Sequence, residues 1–249
     1  MYSAELEFMN KVLSGSVASL VSCLFLFSCQ MQCNTCEFQS ITIDLDEHTV
    51  ELQRLSLIKD IRIVRLETND SVLVGRIDKV LIHDGKIYIG DFYASQSLFI
   101  FDMQGKAIRK ISRKGRGPGE YIQLRDFFID DQSGTLNLLT RNSSEILSFD
   151  LDGTSLISQT ELPKELVAIC PMRDGVVGYA GGYAQDGSYE LWILDENYKV
   201  VRGDIPIEKG WESMYYNDAY DFSSYDGVGY FLAPRENLIY SFSEKGATP

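Results

Sequence analysis

Three aspartates, Asp78, Asp126 and Asp130, stand near the ends of short apolar segments whose composition is typical of β-strands. Carboxylate oxygens are preferred ligands of Ca²⁺, which takes roughly six to eight oxygens at about 2.3–2.6 Å. If these strands converge, the three side chains can contribute to a calcium site. Acidic residues that flank strands are commonly solvated turn residues, and we favour that interpretation. Apart from Ca²⁺, we expect no bound cofactor.

A glycine-rich segment contains the second group of residues with binding potential. Its turn-forming residues are Gly115, Gly117, Pro118, Gly119, Glu120 and Tyr121. Glycine permits positive φ and proline presets φ, so we expect a turn in which Glu120 accepts hydrogen bonds from exposed N–H groups. The neighbouring cations Arg113, Lys114 and Arg116 form a local basic group that can hold an anionic ligand. The alternative, which we favour, is a structural turn with solvated charges.

Aromatic residues form a third group. Eight of them lie within the 21 positions from Trp211 to Phe231. Aromatic faces supply apolar area at low entropic cost, so they can stack on sugars. We single out Trp211, Tyr215 and Tyr216 as candidate carbohydrate-binding residues, because the sequence around them indicates a loop. Aromatic residues also pack between sheets, and this core interpretation is favoured.

Composition and missing motifs argue against several other functions. The chain has 249 residues, a formal net charge of −13 and a pI near 4.6. No nucleic-acid partner is expected, because phosphate binding depends on clustered Lys and Arg. Neither of the two histidines, His48 and His83, lies near a Gly-x-Ser-x-Gly motif, and HExxH, P-loop and dinucleotide-binding glycine motifs are missing. The sequence therefore favours a protein that is not an enzyme.

The N-terminal residues predict that the protein is exported. Val17–Phe27 is an uncharged run of 11 residues, too short to span a bilayer and typical of a signal-peptide core. The tetrad LFSC that ends at Cys29 resembles a bacterial lipobox, in which the cysteine is lipidated and becomes the new N-terminus. We expect residues 1–28 to be a lipoprotein signal peptide, with Met9 as an alternative start, and residues 29–45 to be a tether.

From about residue 60 onward, short β-type segments alternate with turns, and one turn recurs. Asp102–Gly105 is followed by related turns at positions 150–153, 195–198 and 243–246, which are 48, 45 and 48 residues apart. A period of this length, made of four short strands, predicts β-propeller blades. The strands predicted for the first blade are Val80–Ile82, Lys86–Gly90, Leu98–Phe101 and Ala107–Ile111. An up-and-down sandwich is the competing all-β fold, which the regular spacing disfavours.

Gly115–Tyr121, followed by Asp126–Asp130, resembles the Gly-x-Gly-Pro-Gly-Glu-[Phe/Tyr] signature of NHL-type blades. Together with Val64–Thr68, residues 60–249 resemble the six-bladed β-propeller lipoproteins of Bacteroides-type bacteria. The resemblance implies six blades, whereas the sequence holds about four repeats. We therefore expect a C-terminally truncated copy. Its last blade is expected to end after the third strand, and its closing strand, residues 61–66, to have no blade to join.

These observations together predict an all-β propeller over residues 46–249, incomplete and joined to a lipid anchor in the bacterial cell envelope. Gln30, which follows the lipobox cysteine, favours the outer membrane over the inner one. We expect a periplasmic or surface-facing binding or scaffold protein whose partner is a carbohydrate, a peptide or a protein. The resemblance leaves one alternative, a calcium-dependent propeller hydrolase or lyase.

Overall fold

The structure is a computed structural model that describes residues 60–248 except for 142–143, 182–188, 208–221, 226–227, 234–237 and 244–245. All of its strands lie in the unit Arg62–Pro249. This described part is all-β, because sixteen strands form four antiparallel sheets arranged as the blades of a β-propeller. The predicted fold class is confirmed. Among the described residues, no helix is long and apolar enough to cross a membrane.

Each blade is a meander in which consecutive strands are hydrogen-bonded neighbours. Blade 1 consists of β1 (Lys79–His83), β2 (Lys86–Asp91), β3 (Ser97–Asp102) and β4 (Ala107–Ile111). Blade 2 consists of β5 (Gln123–Asp130), β6 (Thr135–Arg141), β7 (Glu145–Asp150) and β8 (Leu156–Glu161). Blade 3 consists of β9 (Ala168–Met172), β10 (Gly175–Tyr179), β11 (Tyr189–Leu194) and β12 (Val200–Pro206). Blade 4 consists of β13 (Phe222–Tyr225), β14 (Val228–Ala233), β15 (Leu238–Ser243) and β16 (Gly246–Thr248). The predicted strands of the first blade are confirmed to within one residue at each end.

The recurring turn lies between the third and fourth strands of a blade. At the β3–β4 turn, the Asp102 carboxylate accepts hydrogen bonds from the N–H groups of Gln104 and Lys106, at 2.9 and 2.8 Å. Asp150 and Asp195 accept N–H groups in the same way in blades 2 and 3. Such local side-chain bonds stabilise a turn at the hairpin tip. The repeat seen in the sequence is therefore a repeated hairpin.

The blades pack face to face through apolar clusters, and the first strands of consecutive blades contact each other. The residues at the centres of the three interfaces are Tyr88 with Phe127, Phe128 with Trp192, and Tyr179 with Phe231. Successive side chains of a strand point to opposite faces, so Phe127 packs towards blade 1 and Phe128 towards blade 3. Alternating apolar residues of one strand therefore serve two interfaces.

The other face of blade 1 is covered by residues 64–74, which form no regular strand. The side chains that pack against it are Val64, Leu66, Val72 and Val74. Nearby, the Glu67 N–H donates to Gly105 O at 2.7 Å. Residues 61–66 join none of the four sheets, in line with the expectation that this segment has no blade to join here. Val64 and Leu66 of this segment pack on a sheet face without joining a strand ladder.

Blade 4 also differs from the expectation. β16 pairs antiparallel with β15, with Ser241 opposite Thr248 and Ser243 opposite Gly246. The prediction that this blade ends after its third strand is therefore wrong. The physical reason is that Gly246–Thr248, although only three residues long, pairs with β15 as a short fourth strand.

Candidate functional site

The first strands of blades 1, 2 and 3 are joined by one buried carboxylate. Asp126 on β5 accepts a hydrogen bond from Lys79 Nζ on β1 at 2.7 Å. Its other carboxylate oxygen accepts the N–H of Ile169 on β9 at 2.9 Å. The register of β5 shifts just before Asp126, and such bulges change the direction of a side chain. One side chain thus connects three blades.

The electrostatics of this contact follow from its burial. Asp126 is fully buried. Burial raises the pKa of the Asp126 carboxyl, while the Lys79 ammonium and the N–H groups of Ile169 and Phe127 oppose that rise. Lys79 also lies over the Phe127 ring, 5.5 Å from its centroid. Both oxygens of the carboxylate already have donors within the protein.

The other two predicted calcium ligands have their own partners. Asp78 pairs with Arg76 Nε at 2.6 Å, and Asp130 accepts a hydrogen bond from Ser133 Oγ at 2.6 Å. Within the part of the chain that the structure describes, no three His, Cys, Asp or Glu side chains are grouped as metal ligands. The structure therefore does not bring Asp78, Asp126 and Asp130 together into one site.

The glycine-rich turn follows β4 and leads into β5. Glu120 Oε2 accepts the Gly117 N–H at 2.8 Å, and the Glu120 N–H donates back to Gly117 O at 3.0 Å. The Gly115 N–H donates to Tyr121 O, and the Tyr121 N–H to Arg113 O, at 3.0 and 2.8 Å. These four hydrogen bonds close the loop on itself and fix its backbone.

Tyr121 attaches this turn to blade 1. Its side chain is buried, and its hydroxyl donates to Gln96 O in the β2–β3 loop at 2.8 Å. Burial raises the pKa of Tyr121 to about 12. Gln96 Oε1 in turn accepts the Leu124 N–H of β5 at 2.7 Å. Because its pKa is raised, the Tyr121 phenol remains a neutral hydrogen-bond donor at physiological pH.

The same turn also contacts blade 2. The Gly119 N–H donates to Gln159 Oε1 of β8 at 2.8 Å. Arg113 lies 5.4 Å from the centroid of the Phe149 ring on β7. Arg113, Lys114 and Arg116 nevertheless remain exposed to solvent. The structure thus places three cations on one backbone segment that is held by two blades, an arrangement suited to charge-assisted hydrogen bonds with an anionic group.

The family model described as Domain of unknown function (DUF4934) matches residues 40–249, which is more than half of the chain. The chain belongs to the DUF4934 family. All four blades of this DUF4934 protein, together with the buried carboxylate and the glycine-rich turn, lie within the matched region. No curated protein matches the chain.

The DUF4934 chain is similar to a solved structure from Bacteroides fragilis named "Putative exported protein", with a TM-score of 0.65 and 19% identity over 75% of this chain and 53% of that chain. This similarity supports the fold alone. Streptogramin B lyase has a TM-score of 0.48 and 12% identity over 72% and 55% of the two chains. The WD40 domain of Neurospora crassa Pan2 has a TM-score of 0.46 and 12% identity over 70% and 51%. The chain therefore spans about half the length of these structures.

The aromatic candidates Trp211, Tyr215 and Tyr216 of the DUF4934 chain lie outside the described residues. The adjoining aromatic residues are divided between two environments. Phe222 and Phe231 pack at the interface between blades 3 and 4, with ring centroids 5.0 Å apart. Tyr225 on β13 is 79% exposed. The described part of this aromatic segment thus has both core and surface members.

Sequence analysis missed Asp91, at the end of β2 in the DUF4934 chain. This fully buried carboxylate accepts the N–H groups of Gly75, Arg76, Ala94 and Ser95, at 2.8–3.2 Å. Burial alone would raise the pKa of Asp91, but these N–H donors together hold it below its ordinary value. The local signal was the sequence Asp-Phe-Tyr-Ala-Ser directly after a strand, where an aspartate can accept N–H groups three and four residues ahead.

Proposed function

We propose that the protein is a lipid-anchored β-propeller of the bacterial cell envelope that acts as a binding or scaffold module. The apolar run and the LFSC tetrad support export and lipidation at Cys29, and Gln30 favours the outer membrane. The name of the similar Bacteroides fragilis protein supports an exported location. With lipidation at Cys29 and a tether over residues 29–45, we expect the propeller to lie on the periplasmic or surface-facing side.

The observation that carries the binding function is the exposed basic group on a fixed turn. Arg113, Lys114 and Arg116 are exposed, while the backbone beneath them is held by hydrogen bonds to both neighbouring blades. A pre-ordered site loses less conformational entropy on binding than a mobile loop does. In a chain of net charge −13 these cations favour an anionic group, carried by a carbohydrate, a peptide or a protein partner. Trp211, Tyr215 and Tyr216 are the proposed stacking residues for a carbohydrate partner.

We expect Cys29→Ala to remove the protein from the membrane fraction or to leave it as an unprocessed precursor. The physical reason is that the cysteine thiol is the acceptor of the lipid and the residue before which cleavage occurs. Two acyl chains give stable anchoring, so most of the wild-type protein is expected in the membrane pellet. Fractionation of cells, followed by immunoblotting, measures both location and size.

The matched control for this experiment is Cys23→Ala, because Cys23 lies inside the apolar run and is expected to be lost with the signal peptide. This variant is expected to be cleaved and sedimented like the wild type. Wild-type processing and sedimentation of Cys29→Ala would exclude Cys29 as the anchor.

The double substitution Lys114→Ala and Arg116→Ala is expected to weaken binding to acidic ligands by at least about tenfold, because each hydrogen bond to a charged group contributes about 1.5–3 kcal/mol. The probe is an array of oligosaccharides and peptides that includes neutral, sulfated and carboxylate-rich members. The thermal stability of the variant is expected to change little, because both side chains are exposed.

Lys106→Ala is the control for this second experiment, since Lys106 is an exposed cation in a different turn of blade 1. Its binding profile is expected to match the wild type. If Lys106→Ala weakened binding as much as the double substitution, the effect would be a general electrostatic attraction and not binding at the turn. Unchanged binding of the double variant would exclude the turn as the binding site.

A further inference from the structure

An arginine and a tyrosine form a stacked pair at the surface of blade 1, and we call this pair the Tyr93 platform. The Arg76 guanidinium lies over the Tyr93 ring, 4.6 Å from its centroid. Such a contact between a cation and an aromatic face is attractive. Because Arg76 covers one face and Tyr93 is nevertheless 53% exposed, the opposite face and the edge of the ring are open to solvent.

Two buried carboxylates hold the Tyr93 platform in place. Asp78 pairs with Arg76 Nε at 2.6 Å and accepts the N–H of Phe92, the residue before Tyr93, at 2.7 Å. Asp91 accepts N–H groups both from the segment before β1 that carries Arg76 and from the loop that carries Tyr93. The charges of both carboxylates are thus compensated by the arginine and by backbone N–H groups. A surface ordered in this way loses little conformational entropy when a ligand binds.

The Tyr93 platform lies at the same end of blade 1 as the glycine-rich turn. Consecutive strands of the blade are antiparallel, so the β2–β3 loop (residues 92–96) and the connection from β4 to β5 are at one end. The two are also joined directly, because the Tyr121 hydroxyl donates to Gln96 O at 2.8 Å. The exposed cations of the turn are Arg113, Lys114 and Arg116. One ordered surface therefore combines an aromatic face with a basic group.

We propose that the Tyr93 platform and the basic turn together bind one acidic oligosaccharide. An aromatic face offers apolar area to the CH groups of a sugar ring, so a pyranose ring stacks on Tyr93. Carboxylate or sulfate groups on neighbouring sugars accept charge-assisted hydrogen bonds from the cations of the turn. An acidic peptide would be matched by the cations alone, and a neutral sugar by the ring alone. This inference rests on the binding function proposed above and narrows its partner to a carbohydrate that carries acidic groups.

The test is isothermal titration calorimetry on the full chain in detergent with four probes, namely hexagalacturonate, sulfated maltohexaose, maltohexaose and a hexaglutamate peptide. Tyr93→Ala is expected to raise the dissociation constant for the acidic sugars at least about fivefold, because the stacking face is lost. Tyr93→Phe is expected to stay within about twofold of the wild type, since phenylalanine keeps that face. Comparison of the two acidic sugars shows whether the site takes a carboxylate or a sulfate.

Tyr225→Ala is the matched control, because Tyr225 is a 79% exposed tyrosine on blade 4. It is expected to bind all four probes like the wild type. Ionic strength separates the two parts of the site, because salt screens charges and does not weaken stacking. High salt is expected to reduce the effect of the double substitution Lys114→Ala and Arg116→Ala. The factor lost by Tyr93→Ala is expected to remain nearly the same.

The outcomes separate this inference from the function on which it rests. If the double substitution weakened binding and Tyr93→Ala did not, the turn would bind anions without the platform, so the inference would be wrong and the proposed function would stand. Binding of hexaglutamate as tightly as the acidic sugars would indicate a peptide partner and also overturn it. A loss for Tyr93→Ala alone would exclude the turn, and with it the joint site. If neither acidic sugar bound to the wild type, the inference would likewise be wrong.

Discussion

Replacing Asp126 with alanine is expected to lower the free energy of unfolding by about 3–5 kcal/mol, the usual cost of removing one partner from a buried ion pair. The carboxylate holds Lys79 of blade 1 at 2.7 Å and the Ile169 N–H of blade 3 at 2.9 Å. Without it, an ammonium group that is 19% exposed and a buried N–H group lose their acceptor. Urea denaturation, followed by intrinsic fluorescence, measures the effect.

Asp130→Ala is the matched control, because Asp130 lies four positions along on the same strand and is only half-buried. We expect it to cost under about 1 kcal/mol. Combining Lys79→Met with Asp126→Ala is expected to recover part of the loss, because no unpaired charge then remains.

A loss for Asp126→Ala no larger than that for Asp130→Ala would contradict the structural role of the buried carboxylate. The same variants test the calcium hypothesis. If added Ca²⁺ raised the melting temperature of the wild type and had no effect on Asp126→Ala, this carboxylate would be a metal ligand. The ion pair with Lys79 would then describe only the metal-free state.

Gly119→Val is expected to lower the free energy of unfolding by about 1–3 kcal/mol, because Gly119 has a φ of +71° and β-branched residues are strained there. A Cβ at this position would also lie 2.6 Å from Leu156 Cδ2 on blade 2. The substitution therefore disturbs both the turn and its contact with the next blade. Denaturation in urea is again the measurement.

The sequence gives no reason to distinguish Gly117 from Gly119, whereas the structure does. Gly117→Val is therefore the informative control. Gly117 does not have a positive φ, and a Cβ there would lie 3.2 Å from Glu120 Oε2, the end of a flexible exposed side chain. We expect Gly117→Val to cost less than Gly119→Val, and Arg116→Ala to cost under about 0.5 kcal/mol. If Arg116→Ala lowered the free energy of unfolding most and Gly119→Val least, the arginine and not the glycine would stabilise the turn.

Most of the fold could be predicted from the sequence because its signals are local. The strand β3 reads Ser-Leu-Phe-Ile-Phe-Asp and is followed by Asp102–Gly105, so a strand and a tight turn are specified within ten residues. The turn at Gly115–Tyr121 was predicted for the same reason, since glycine and proline restrict the backbone at their own positions. Repetition of such local signals then indicated blades.

Local signals do not specify where a segment packs when it joins no sheet. Val64 and Leu66 belong to the segment that was expected to have no blade to join, and only the structure shows that they pack on the face of blade 1 without pairing. The fourth strand of blade 4 was missed because Gly246–Thr248 is short and carries little apolar pattern. Its pairing with β15 depends on a neighbouring strand that is already in place.

The sequence by itself determined the all-β class, the blade period and the turn residues, because these follow from alternation and from the backbone preferences of neighbouring residues. Only the tertiary structure decided the partners of Asp126, since Lys79 and Ile169 lie 47 and 43 residues away in other blades. It also showed that Asp78 and Asp130 have partners of their own, and that three exposed cations stand on a turn held by two blades. These contacts depend on how whole sheets stack, and no local pattern of residue types specifies that packing.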